Sequence, residues 1–152
     1  MQFEPGKVAV HKRKHLLHWD AEHGTQFVTI VIDREKGISL TETTAQFVID
    51  TLIHDDGRCY ELLAWCVMED HVHVVLRPRD TIANIVKTWK SVTARRINAN
   101  LNRTGTVWQK DYFDRLIRDS HELQRTIDYV LENPANDELF GWHHVRVYPD
   151  RL

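Results

Sequence analysis

A chain of 152 residues with 42% hydrophobic and 28% charged residues suits one soluble domain that can bury a core without disulfides or a structural metal. Its apolar runs are only a few residues long, and Met1-Gln2-Phe3-Glu4-Pro5 lacks the charged-then-apolar layout of a secretory signal. This excludes a membrane span and points to a cytoplasmic protein. The net charge of −2 hides an asymmetry, because Arg77 to Lys110 holds eight Lys/Arg and one acid, a local +7 against −9 for the rest.

Residues 1–24 are polar, with Lys7, Lys12, Arg13 and Lys14, and predict a basic N-terminal arm ahead of a single domain over 25–152. The β-branched run Phe27 to Ile32 predicts a strand, and Gly37 a turn. Thr41 or Thr43 is placed to cap a helix reaching about Ile53, with Phe47, Val48 and Leu52 apolar at helical spacing. Asp55-Asp56-Gly57 stops it. Tyr60 to Met68 and His71 to Arg77 predict two strands joined by a tight turn at Glu69-Asp70, and Pro78 ends the second. Cys59 and Cys66 match no metal or disulfide framework and read as buried thiols in a reducing compartment.

Ile82, Ile85, Val86, Trp89, Val92, Thr93, Ile97 and Leu101 fall at i, i+3, i+4, i+7 spacing and predict a long amphipathic helix, closed by Asn102 to Gly105. From Thr81 to Arg103 there are five basic residues and no acid. A solvated helix face is the ordinary meaning of such a run; a polyanion-binding surface is the sharper one. Tyr112 to Ile117 predicts a further strand. Ser120 with Leu123 and Gln124 opens a last helix that reaches Glu132 before Asn133-Pro134. The order β-α-β-β-α-β-α predicts an α+β domain of ferredoxin-like, RRM-like type, an antiparallel sheet with helices packed on one face.

Two pairs of residues carry candidate chemistry. His71 and His73, two apart on a strand, project from the same face with Cβ atoms about 6–7 Å apart, within reach of one divalent ion. Alone, a His-x-His is more often hydrogen-bonded or surface histidine. Tyr129 and Asn133 stack at i, i+4 on the last helix, where Asn offers an oxygen ligand for a hard cation. A tyrosine there is more often packing. Together they form a chemical set: two histidines and an amide oxygen leave positions open on a catalytic ion, beside a tyrosine able to attack phosphorus. A phosphotyrosine ester keeps the bond energy, so a strand can be rejoined without a nucleotide cofactor. The basic helix would bind backbone phosphates. Trp89 and Trp108 are the candidates to stack on unpaired bases; Trp89, in the apolar stripe, reads as core, and for Trp108, beside Gln109-Lys110, stacking and packing both stand.

Cys66-Val67-Met68-Glu69-Asp70-His71-Val72-His73 resembles the HUH signature. The stretch from Val107-Trp108-Gln109-Lys110 through Asp111-Tyr112-Phe113-Asp114 to Ile117-Arg118-Asp119 resembles the segment before the catalytic helix. Ile127-Asp128-Tyr129-Val130-Leu131-Glu132-Asn133-Pro134 resembles that helix, with its Tyr-x-x-x-Asn-Pro. Arg13-Lys14-His15-Leu16-Leu17-His18-Trp19 followed by Phe27-Val28-Thr29 resembles the opening of such proteins. From about residue 10 to 140 the chain is therefore similar to the single-tyrosine HUH transposases of the REP-associated kind.

The resemblance implies that His71, His73 and Asn133 ligate Mg²⁺ or Mn²⁺ and that Tyr129 is the nucleophile. It also implies cleavage of single-stranded DNA at hairpin-bearing repeats through a 5′-phosphotyrosine. Arg13, Lys14, Lys87, Lys90, Arg95, Arg96, Trp108 and Lys110 are the expected DNA contacts. Tyr112, in a strand without an Asn partner, is the rival tyrosine. Ala135-Asn136-Asp137-Glu138 is more acidic than the pattern leads one to expect, which bears on the target sequence. Relatives occur as dimers and as monomers, so a homodimer, with one subunit's tyrosine serving the other's histidines, stays open. Two other readings stand beside this one. One is a non-catalytic nucleic-acid-binding module on the same fold. The other is a metal-dependent hydrolase of another phosphoester, for which the sequence lacks clustered acids.

Overall fold

The computed structural model describes residues 9–11, 24–133 and 144–152. Six strands form one antiparallel sheet: β1 (Ala9–His11), β2 (Thr25–Val31), β3 (Tyr60–Val67), β4 (His71–Pro78), β5 (Tyr112–Ile117) and β6 (Val145–Val147). Three α-helices connect or flank them: α1 (Glu42–His54), α2 (Ile82–Leu101) and α3 (Ser120–Glu132). The strand order β1-β5-β2-β4-β3-β6 places the ferredoxin-like arrangement β5-β2-β4-β3 at the centre, as the sequence predicts. Of the expected N-terminal arm, residues 9–11 pair with β5 and extend the sheet at that edge. β6, which the sequence reading did not assign, extends the other edge by pairing with β3.

Local chemistry fixes the element boundaries. Thr41 caps α1 in a reciprocal capping box with Thr44, satisfying donors that a helix N-terminus otherwise leaves open. Thr81 caps α2 by accepting from the Asn84 backbone N–H at 3.2 Å, and Asp119 caps α3 by accepting from that of Glu122 at 2.7 Å. Asn102 ends α2 in the left-handed conformation, φ 53°, which Asn tolerates better than most side chains. The β3–β4 hairpin turns at Glu69-Asp70, closed by Met68 N–H to the His71 carbonyl at 2.8 Å.

Period-two alternation sorts the strands onto two faces. Val28, Ile30, Leu62, Trp65, Val72, Val74 and Leu76 meet α1 and α2 in the larger core. There Trp89 is buried and donates its indole N–H to the Tyr60 hydroxyl at 3.0 Å. Phe27, Leu63, Ala64, Cys66, Val75 and Ile117 meet Ile127 and Val130 of α3 in a smaller one. The expectation of helices on one face thus holds for α1 and α2, while α3 covers the other. A bulge in β3 between Leu62 and Ala64 shifts the alternation by one residue, so that Cys66 lies opposite His73 on the α3 side. Cys66 is buried and Cys59 only half-buried, and neither forms a disulfide.

Candidate active site

β4 carries both histidines on the α3 face because Val72, Val74 and Leu76 are claimed by the larger core. His71 is half-buried and His73 is buried; their ring centroids lie 4.6 Å apart. Each ring is held through Nδ1. The Asp70 carboxylate, one residue before, accepts from His71 Nδ1 at 2.7 Å. On the neighbouring strand, Thr29 is the register partner of His73, and its Oγ1 lies 2.8 Å from His73 Nδ1. A neutral imidazole that donates through Nδ1 presents its Nε2 lone pair, so this arrangement aims both Nε2 atoms away from their tethers. Burial, and next the neighbouring His71, pushes the pKa of His73 well below its usual value, which keeps that ring neutral as ligation requires.

The opposite wall is the last turn of α3. The Tyr129 ring stands 5.3 Å from that of His73 in an edge arrangement, and Phe27 packs against both rings at 6.3 and 5.3 Å. Tyr129 is half-buried, so its ring is fixed by packing and still reachable. One turn on, Asn133 donates its side-chain N–H to the Tyr129 carbonyl at 3.4 Å, which turns its Oδ1 towards His71 Nε2 at 3.2 Å. If the His71 ring is neutral and donates through Nδ1 to Asp70, Nε2 and Oδ1 are two acceptors facing each other, as two ligands of one cation would be. Two ligands of an octahedral Mg²⁺, each at about 2.1 Å and at right angles, stand about 3 Å apart. The donor set therefore fits a divalent ion. Among the described residues no cluster of three or more His, Cys, Asp or Glu could hold a metal ion.

Tyr112, the rival tyrosine, lies on the opposite face of the sheet in the larger core. It is 7% exposed, and burial, with the Asp114 carboxylate, pushes its phenol up to about 12. Neither position nor acidity suits a nucleophile.

The expected DNA contacts divide. Arg13 and Lys14 lie outside the described residues. Lys87, Arg95 and Lys110 are exposed. Arg96 is drawn towards Asp50 at 3.8 Å and lies over the Phe47 ring. Two expectations need correction. Lys90 does not present a free ammonium: its Nζ donates to the carbonyls of Gln109, Lys110 and Asp111 at 2.7, 3.1 and 3.1 Å, tying the segment before β5 to α2. Trp108 is not a projecting stacking platform: it is 5% exposed, with its indole N–H donated to Thr93 Oγ1 at 2.8 Å. In addition, α2 lies on the sheet face opposite His71 and His73. The sequence reading missed Asp70 and Thr29. Asp70 was visible as the residue before the first histidine; Thr29 needed the β2–β4 register.

Comparison with known proteins follows the same lines. The family model for IS200-like transposases matches residues 21–133. A Haemophilus influenzae protein assigned by name to the REP-associated tyrosine transposases is 26% identical over 124 residues, covering 74% of this chain and 70% of that protein. A solved REP-associated tyrosine transposase bound to a REP hairpin superposes with a TM-score of 0.67 at 20% identity, covering 86% of this chain and 75% of that one.

Proposed function

The chain belongs to the IS200-like transposase family, and we propose that it nicks and rejoins single-stranded DNA at hairpin-forming repeats, with Tyr129 as nucleophile and His71, His73 and Asn133 as ligands of Mg²⁺ or Mn²⁺. The observation that carries this reading is the meeting of these four side chains from β4 and α3 on one face of the sheet. The similarity to REP-associated transposases, one of them solved with a REP hairpin, supports hairpin-bearing DNA as the substrate.

A divalent ion held by the three ligands supplies Lewis-acid stabilisation of charge on the scissile phosphate. The chain does the rest. With Nδ1 donating to Asp70 and to Thr29, the histidines would present unprotonated Nε2 atoms to the ion. Phe27 and His73 fix the Tyr129 ring, which limits the orientations its hydroxyl must give up to attack in line. The Tyr129 oxygen bonds to phosphorus as the phosphorus–3′-oxygen bond breaks. The phenolic proton ends on the departing 3′ hydroxyl by way of solvent. A second 3′ hydroxyl reverses the exchange and releases the tyrosine, so no nucleotide cofactor enters.

The test is a denaturing gel of labelled single-stranded oligonucleotides carrying the hairpin repeats that flank the gene, with Mn²⁺ or EDTA. Wild type is expected to give a denaturant-resistant adduct that disappears with EDTA and in Tyr129→Phe. Hairpin binding with no adduct on any repeat would instead identify a non-catalytic binding module. Product release with turnover and no adduct would indicate a hydrolase.

A further inference from the structure

Outside the site, the described residues form a groove of about 430 Å³ between α2 and the segment leading into β5. It exists because one stripe of α2 is small where the segment passes: Ala83, Ser91 and Ala94 leave space that larger side chains would fill. Both walls are fixed. Lys90 and Trp108 tie the segment to the helix, so the cleft is pre-formed and loses little entropy when filled. Its floor is largely apolar, and the exposed Lys87 and Lys110 stand on opposite walls. No acid occurs between Thr81 and Lys110; the nearest in sequence is Asp111, just past the groove wall, whose backbone carbonyl accepts from Lys90. An apolar slot between two mobile ammonium groups suits a planar group bearing an anion.

Position narrows the occupant. The groove wall Val107–Gln109 runs beside the end of β2: Asp33 N–H donates to the Val107 carbonyl, Gln109 N–H donates to the Val31 carbonyl, and Trp108 bridges to Ile32. On its other side, Val31 is the register partner of His71. Groove and histidines thus lie at the same end of the sheet on opposite faces. A strand passing over that end would touch both.

We propose that this groove binds an unpaired nucleotide of the DNA strand whose scissile phosphate lies at Tyr129, its base on the apolar floor and its phosphate between Lys87 and Lys110. The proposal rests on the reading of the chain as a DNA-processing enzyme. A base held in a duplex is already stacked and paired, so a base that enters this slot belongs to single-stranded DNA beside the hairpin.

The experiment reads binding, in EDTA, so that it is separate from adduct formation. Fluorescence anisotropy is followed with labelled oligothymidylate, free or annealed to oligodeoxyadenylate, for the full chain. The double variant K87E/K110E is expected to bind the single strand roughly tenfold more weakly, and its log affinity should fall less steeply with log salt, by about 1.4, for two lost phosphate contacts. Ser91→Trp fills the groove without changing charge and is expected to weaken single-strand binding with the salt slope unchanged. Binding to the duplex should change much less in Ser91→Trp. With 4-thiothymidine in the oligonucleotide, photo-crosslinks are expected within residues 83–94 or 106–112. Three results would overturn the proposal: wild-type affinity in Ser91→Trp, equal losses on single strand and duplex in that variant, or crosslinks confined to the α3 face. Wild-type protein that shows the expected binding pattern but no tyrosine adduct would leave the groove standing and remove the proposed reaction.

Discussion

On the α1/α2 face, β4 gives Val72, Val74 and Leu76 to a continuous apolar core; on the α3 face the same strand gives His71, His73 and Val75. The first face is filled by two helices that contact each other and the sheet, with Tyr60 and Trp89 fully buried at its heart. The second is covered by one helix, and its edge is left to half-buried polar groups. Its histidines are held by partners from other elements: Thr29 from β2, Asp70 from the hairpin, Asn133 from the end of α3. The difference teaches that stability and chemistry are separated by strand alternation alone. Changes on one face should register mainly in folding and on the other mainly in strand transfer.

The sharpest way to break that division is to remove a histidine. His71→Ala or His73→Ala is expected to lower adduct formation by about 10³-fold or more, since metal stabilisation of a phosphoryl transition state is worth several kcal/mol. His71 is half-exposed at the strand start, so thermal unfolding of His71→Ala should shift by less than about 0.5 kcal/mol. Normal adduct yield in the histidine variants would remove the pair from the reaction.

The converse variant is Leu76→Ala, on the core side of the same strand. Leu76 is completely buried, and large-to-small changes at such sites cost about 2–5 kcal/mol through lost transfer energy and a residual cavity. Urea unfolding should report that loss. Adduct yield per folded molecule should stay at the wild-type level. A matching fall in activity at temperatures where the variant remains folded would mean that the two faces are mechanically coupled.

Much of this layout was legible in the sequence where a periodicity repeats. The i, i+3, i+4 stripe of α2, the His-x-His alternation and the i, i+4 pairing of Tyr129 with Asn133 are local patterns, and the structure shows them in place, except that the stripe is buried only as far as Ile97 and its last member, Leu101, is exposed. The side of the sheet that α3 takes was not legible, because an amphipathic helix packs equally well on either apolar face. Nor was β6, whose three residues, Val145 to Val147, are too few for a pattern and are held by register with β3. Lys90 and Trp108 were misread for a related reason. Sequence gives the side chain's chemistry, but its capture by backbone carbonyls 19 to 21 residues away, or by Thr93, depends on how the segment before β5 folds back on α2.

Thr29 offers the finest test of the chemical face, because it is 44 residues from His73 in sequence and touches it only through the β2–β4 register. A histidine that ligates through Nε2 carries its proton on Nδ1, and here that proton has Thr29 Oγ1 as its acceptor. Thr29→Val keeps the shape and the β-branch but removes the oxygen. The Nδ1 proton then loses its partner in a buried site, and the tautomer protonated on Nε2, which cannot ligate, gains ground. Loss of such an outer partner typically lowers metal affinity 10–100-fold. The lower end, about tenfold, is expected in Thr29→Val, because Asp70 still holds His71. Mn²⁺ titration followed by electron paramagnetic resonance measures this without any DNA. Thr29→Ser, which restores the hydroxyl, should recover most of the affinity, a rescue that mere loosening of β2 would not produce. Equal Mn²⁺ affinity in wild type, Thr29→Val and Thr29→Ser would show that the His73 ring is oriented by packing against Phe27 and Tyr129 alone.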